Sequence, residues 1–241
     1  MDNLEIRNKL NAQNLNLLQE IESTMLPVIF EEWSNNHYAS KIAKSQSCGV
    51  VYCRPDLNQA KIAHELLHVK TGFLLGDCII MLQIVGQCNV PLAELIIHDS
   101  FCEGLVNQTE HYLFYNEYLA MGYNTADFFE SHAVPQSAQL WIDQFEKKGL
   151  GSNGIYNKTE VHAFLSVLIL LMLYPVKGQY KHQLKRLSKV NPALFDIMKR
   201  YVNSLNNIKL TANDRNKLQD AYKDLANSII SWVGANRVLP I

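Results

Sequence analysis

The segment KIAHELLHVKTGF, Lys61–Phe73, holds two histidines four residues apart with a glutamate directly after the first: His64-Glu65-Leu66-Leu67-His68. The residues around the motif suit a helix, with no proline or glycine until Gly72. On a helix, positions i and i+4 are separated by about 40° and 6 Å, so both imidazoles leave one face and can converge on one ion. Glu65 is turned by about 100° from His64 and stands beside such an ion without being an obvious ligand. The local context agrees. CGVVYC, Cys48–Cys53, is short and β-branched and predicts a strand, and Arg54-Pro55-Asp56 predicts a turn after it. Asp56 or Asn58 can then cap the motif helix, which is expected to stop near Gly72.

This residue set is the one that hydrolytic zinc chemistry needs. Neutral imidazoles hold the ion, a third protein ligand completes the cradle, and a fourth position takes water, whose proton Glu65 can accept. With 8 histidines in the chain, shuffling the composition produces HExxH in about one chain in a hundred, so the motif carries weight.

Candidates for the third ligand lie downstream in HDSFCEGLVNQTEHYLFYNEYLAMGY, where Glu103, Asn107, Glu110 and His111 share an arc of about 100° on a helical wheel. A polar stripe on an otherwise apolar helix calls for pairing, because burying unpaired polar groups costs free energy. A metal with its supporting groups would pair them, and so would water on a surface helix. Candidate oxyanion donors are Tyr112, Tyr115, His132 and, first among them, His162, which opens an apolar helix after a glycine-rich loop. His98 and Cys102 form another i, i+4 pair, read as buried rather than metal-binding.

HELLH followed by Asn107, Glu110-His111 and Gly122-Tyr123 resembles bacterial HExxH proteins of the zincin-like group, near the ImmA/IrrE-type peptidases. The likeness covers residues 48–123. It implies zinc on His64, His68 and Glu110, with Glu65 as general base and Asn107 as a supporting polar neighbour. Glu103, which opens a Glu-Gly pair as in some aminopeptidase-like zincins, and His111 are the alternatives to Glu110. The chain departs from ImmA/IrrE-type enzymes in the wider spacing to the third ligand and in showing no clear DNA-binding domain.

Elsewhere the spacing of Leu17, Leu18, Ile21, Met25, Ile29 and Trp33 predicts a helix over 13–34, bent at Pro27. DCIIMLQIV is ambiguous between helix and strand. Pro91 suits the first position of a helix running to about Tyr118, and Thr125 suits the cap of a short one. Further helices are expected ahead of Gly149, from Thr159 to Tyr174, around 179–189, from Pro192, and from Thr211 to about Val233. The expected fold is mainly α (α+β): a zincin-like helical domain, 1–176, with one small sheet, and a helical C-terminal extension, 177–241, packed on it or merged into a single domain 1–241.

Hydrophobic residues at 48% and charged residues at 19% fit a globular protein with a substantial core. The most apolar run, Val161 to Pro175, is about 14 residues long against the roughly 20 that span a bilayer, and no signal peptide is evident at the N-terminus. Five cysteines without a CxxC pair argue for reduced thiols in a cytoplasmic setting. Charge is uneven: residues 1–176 hold 10 Lys+Arg against 19 Asp+Glu, and residues 177–241 hold 12 against 4. The basic third reads as a solvated face or as a surface docked on the acidic part. No helix-turn-helix or aromatic RNA-binding motif accompanies it, so nucleic acid is not the expected partner.

Two functions from different classes follow. One is a zinc metallopeptidase acting on a peptide or protein. The other is a non-catalytic binding or regulatory protein with a structural or vestigial metal site, touching a polyanion through its basic third.

Overall fold

The computed structural model describes residues 1–33, 37–43, 47–76, 78–90, 93–129, 136–151, 155–176 and 178–240. In chain order the elements are α1 (Asn3–Arg7), α2 (Ala12–Thr24), β1 (Val28–Glu32), β2 (Ala39–Ala43), β3 (Cys48–Cys53), α3 (Gln59–Leu75), α4 (Ile79–Gln87), α5 (Asp99–Ala120), α6 (Thr125–Phe128), α7 (Gln136–Lys148), β4 (Ile155–Asn157), α8 (Lys158–Met172), α9 (Lys181–Val190), α10 (Pro192–Leu205), a 3-10 turn Ala212–Asp214, α11 (Arg215–Ala235) and β5 (Arg237–Leu239). The protein is mainly α with a little β, the class its patterning predicts. Among the described residues no single helix is long and apolar enough to cross a membrane.

The chain gathers into two compact units. The first takes Met1–Gly76, the segment from Phe114 through α6, and Leu210–Ala212; the second takes the rest. The division therefore falls inside α5, which runs unbroken through it.

In the first unit, β1, β3 and β2 form a three-stranded sheet in that order, β1 parallel and β2 antiparallel to β3. The helix expected over 13–34 ends at Thr24 and gives way to β1. Pro27 acts as a terminator rather than a bend. Beyond it Val28, Ile29 and Phe30 take the extended backbone that β-branched and aromatic residues favour, paired to Gly49, Val50 and Val51.

α3 lies on this sheet. Asn58 caps it, its side chain accepting from the Lys61 amide, and it runs one turn past Gly72 to Gly76, whose φ of 77° ends it in the left-handed region. Gly49 sets the approach of helix to sheet: a Cβ there would lie 2.5 Å from Val69 Cγ1. Two polar ties hold α3 from its other sides. Asn14, fully buried, donates to the Gln59 carbonyl at 2.9 Å and accepts from the Tyr123 hydroxyl at 3.0 Å. Lys70, also buried, reaches Glu20 of α2 and Glu117 of α5, each at 2.6 Å.

In the second unit α8 is apolar on nearly every side, burying Val161, Phe164, Leu165 and Leu168 completely. α10 packs on α11 and α8, and α4, the ambiguous DCIIMLQIV segment, is a helix packed on α11. Thr109 of α5 and Tyr201 of α10 share a buried hydrogen bond of 2.8 Å. Part of the basic charge is paired locally: Arg186 of α9 meets Glu146 and Asp143 of α7, and Lys217 and Lys223 meet Asp214 and Asp220. α5 begins at Asp99, later than expected, and Pro91 and Leu92 lie outside the described residues.

Candidate metal centre

His64 and His68 project from successive turns of α3, and their Nε2 atoms lie 3.1 Å apart. His64 is buried and His68 partly so. Phe114, where α5 enters the first unit, stands edge-on to both rings, its centroid 5.5 Å from that of His64 and 4.9 Å from that of His68. Phe128 of α6 packs on His64 at 4.7 Å. One turn ahead of Phe114 on the same helix stands His111, and the ligand atoms of His64, His68 and His111 all lie within 4.8 Å of one another. This three-histidine group can hold a metal ion.

Three imidazole nitrogens suit zinc, copper, iron or nickel. Zinc–nitrogen bonds of about 2.0–2.1 Å at tetrahedral angles place neighbouring nitrogens about 3.3 Å apart. The α3 pair is already close to that spacing, and the His111 ligand atom lies within 4.8 Å of both. The aromatic rings against the imidazoles restrict their rotation and lower the local dielectric, which strengthens whatever charge interaction the site makes.

Of the residues singled out in the sequence, His64, His68 and His111 come together. Glu110 lies outside this group. One residue back from His111, it is turned by about 100° round the helix, is half-buried, and its negative charge is felt by Tyr222, whose hydroxyl is pushed up chiefly by burial. Glu103 and Asn107 are exposed on earlier turns, and Glu103 does not belong to the group either.

Glu65 is buried at 9% exposure, and Ser40 of β2 donates a hydrogen bond to its Oε2 at 2.8 Å. Cys53, at the end of β3, is pushed up to about 12 by burial and by the charge of Glu65. Its thiol therefore stays protonated at neutral pH.

Three of the four expected oxyanion donors have hydrogen-bond partners of their own. His162 sits in the second unit with Nδ1 3.2 Å from the Ile96 carbonyl, Nε2 3.5 Å from Ser166 Oγ and its ring stacked on His98 at 4.7 Å. Burial holds its pKa below the usual histidine value, with His98 adding to the effect. These contacts are those of a satisfied, neutral core histidine. The Tyr112 hydroxyl donates to Asn206 at 2.8 Å, and that of Tyr115 pairs with Thr125. His132 lies outside the described residues. The His98–Cys102 pair is split between partners, His98 stacking on His162 and Cys102 sharing a thiol hydrogen bond with Cys78, both cysteines being free.

Ser40, Phe114 and Phe128 had no place in the sequence reading. Phe114 alone carried a usable signal, lying three residues after His111 and therefore on its side of the helix. No family model, no curated protein and no solved structure matches this chain.

Proposed function

We propose that the protein is a zinc-dependent hydrolase, a metallopeptidase, in which His64, His68 and His111 hold the ion and Glu65 is the general base. The observation that supports this most is the 3.1 Å separation of the two Nε2 atoms on α3, with His111 in the same group. Among the described residues the group has three members. Three protein ligands leave one tetrahedral position open, the arrangement of catalytic rather than structural zinc.

A zinc ion bound there supplies a Lewis acid that brings water within reach of deprotonation near neutral pH. The chain's own groups do the rest. The neutral imidazoles orient the site. Glu65, one residue from His64, takes the proton on its carboxylate and can return it to a leaving amine. Phe114 and Phe128 wall the histidines with apolar surface, so the reacting groups lie against a face poor in competing water.

The test is protein purified without chelators, analysed for metal by mass spectrometry and assayed on dye-quenched casein. About one zinc per chain is expected. The Glu65→Gln variant should keep that zinc and lose hydrolysis, and unchanged turnover in it would remove Glu65 from this role.

A further inference from the structure

We infer that Ser40 is the positioning residue of Glu65, holding its carboxylate in the single rotamer that serves the histidine group; this rests on the function proposed above. A glutamate has three side-chain torsions, and a base must present its oxygen to the reacting proton within a few tenths of an ångström to be effective. A hydroxyl donor reaches Glu65 from a different element, β2, through the 2.8 Å bond from Ser40 Oγ to Oε2.

The strand is well placed to act as a fixed support. β2 is paired along its length to β3, with Ser40 opposite Val51, and Val51 is fully buried. Tyr38, two residues before Ser40 and so on the same side of an extended chain, receives a hydrogen bond of 2.7 Å from the Asn58 amide at the cap of α3, and its hydroxyl donates to Asp56. One face of one extended segment therefore ties α3 at its N-terminus and again at Glu65, two turns further on. Side-chain alternation makes the two ties a single unit: moving β2 by one residue would turn both hydroxyls away.

The experiment compares zinc-loaded wild type, Ser40→Ala, Ser40→Thr and Glu65→Gln by four readouts: bound zinc, thermal midpoint, the torsional order of Glu65 from side-chain three-bond couplings in selectively labelled protein, and kcat and KM on dye-quenched casein. Ser40→Ala is expected to bind one zinc per chain and melt near the wild type, while Glu65 averages over rotamers. Its kcat should fall about tenfold with KM unchanged, and Ser40→Thr should restore both. A Glu65 that keeps one rotamer in Ser40→Ala overturns the inference, as does a loss confined to the melting temperature. If wild type leaves casein intact, or Glu65→Gln cuts it equally well, the metallopeptidase reading fails on its own, and the rotamer measurement still decides the role of Ser40.

Discussion

His64 and His68 bring their Nε2 atoms to 3.1 Å, closer than any apolar packing of two imidazoles requires. A hydrogen bond between the rings or one shared cation accounts for such a distance, and with His111 in the same group a cation can be held there. Alanine in place of His64, His68 or His111 should therefore each abolish stoichiometric zinc, while Glu110→Ala and Glu103→Ala leave it intact. Retention of full zinc by His111→Ala, with loss in Glu110→Ala, would return the third ligand to the glutamate. Zinc held as proposed would bind the folded chain alone, and at a thousand times its dissociation constant it should add about 4 kcal/mol. In a chain of this size that is a rise in melting temperature on the order of 10 °C, reversed by a chelator and by acid, since protons compete for the imidazoles.

The approach of α3 to the sheet is a second point of control. A methyl group at Gly49 meets Val69 Cγ1 at 2.5 Å, inside van der Waals contact, and Val69 is a stiff β-branched side chain directly after His68. Gly49→Ala should cost about 1–3 kcal/mol through overpacking. Val69→Ala, which removes the opposing methyls, should recover part of that cost when combined with it. Urea denaturation of the two single variants and the double variant measures the coupling, and strictly additive losses would show that the contact is not the cause.

The motif helix was legible in the sequence because everything that makes it is local: an Asn58 cap, helix-compatible neighbours and an i, i+4 pair. What was not legible depends on distant parts of the chain. Leu17 through Trp33 satisfy a 3.6-residue period by coincidence, and only the parallel pairing of Val28–Glu32 with β3 decides that the second half is a strand. The choice between Glu110 and His111 turns on a rotation of about 100°, which a helical wheel leaves open; in the fold it is His111 whose ligand atom lies with those of His64 and His68. A lone serine in a five-residue strand carries no pattern at all, so Ser40 emerges only when β2 is laid beside α3.

Lys70 gives a pH-dependent test. Burial alone would lower its pKa, but hydrogen bonds to Glu117 and Glu20 outweigh that and raise it above the ordinary lysine value. A folded-state pKa above the unfolded one means stability that is fully present below the unfolded value and lost as pH rises through the folded one. Lys70→Met should cost about 1–2 kcal/mol near pH 7, discounted because both carboxylates are partly solvated. The gap between variant and wild type should close only above about pH 10.5. Urea midpoints at pH 7, 9 and 11 check it. A gap still as wide at pH 11 as at pH 7 would show that the charge of Lys70 is not its source.

The Tyr123 hydroxyl accepts from Asn11 Nδ2 at 2.9 Å and donates to Asn14 Oδ1 at 3.0 Å, while Asn14 also holds the first turn of α3 through the Gln59 carbonyl. Asn14 is fully buried, so Tyr123→Phe leaves its carbonyl oxygen short of a donor and should cost about 1–3 kcal/mol. Asn14→Leu strands the Tyr123 hydroxyl and the Gln59 carbonyl and should cost at least as much. Removing both polar partners together leaves fewer groups unsatisfied than the single changes predict, so the double variant should be more stable than the sum of the two losses allows, by about 1 kcal/mol. Equilibrium denaturation of all four proteins closes the cycle. A coupling energy indistinguishable from zero would mean that Tyr123 supports α3 through its ring alone and that the hydrogen-bonded chain from Asn11 to Gln59 carries no net stabilisation.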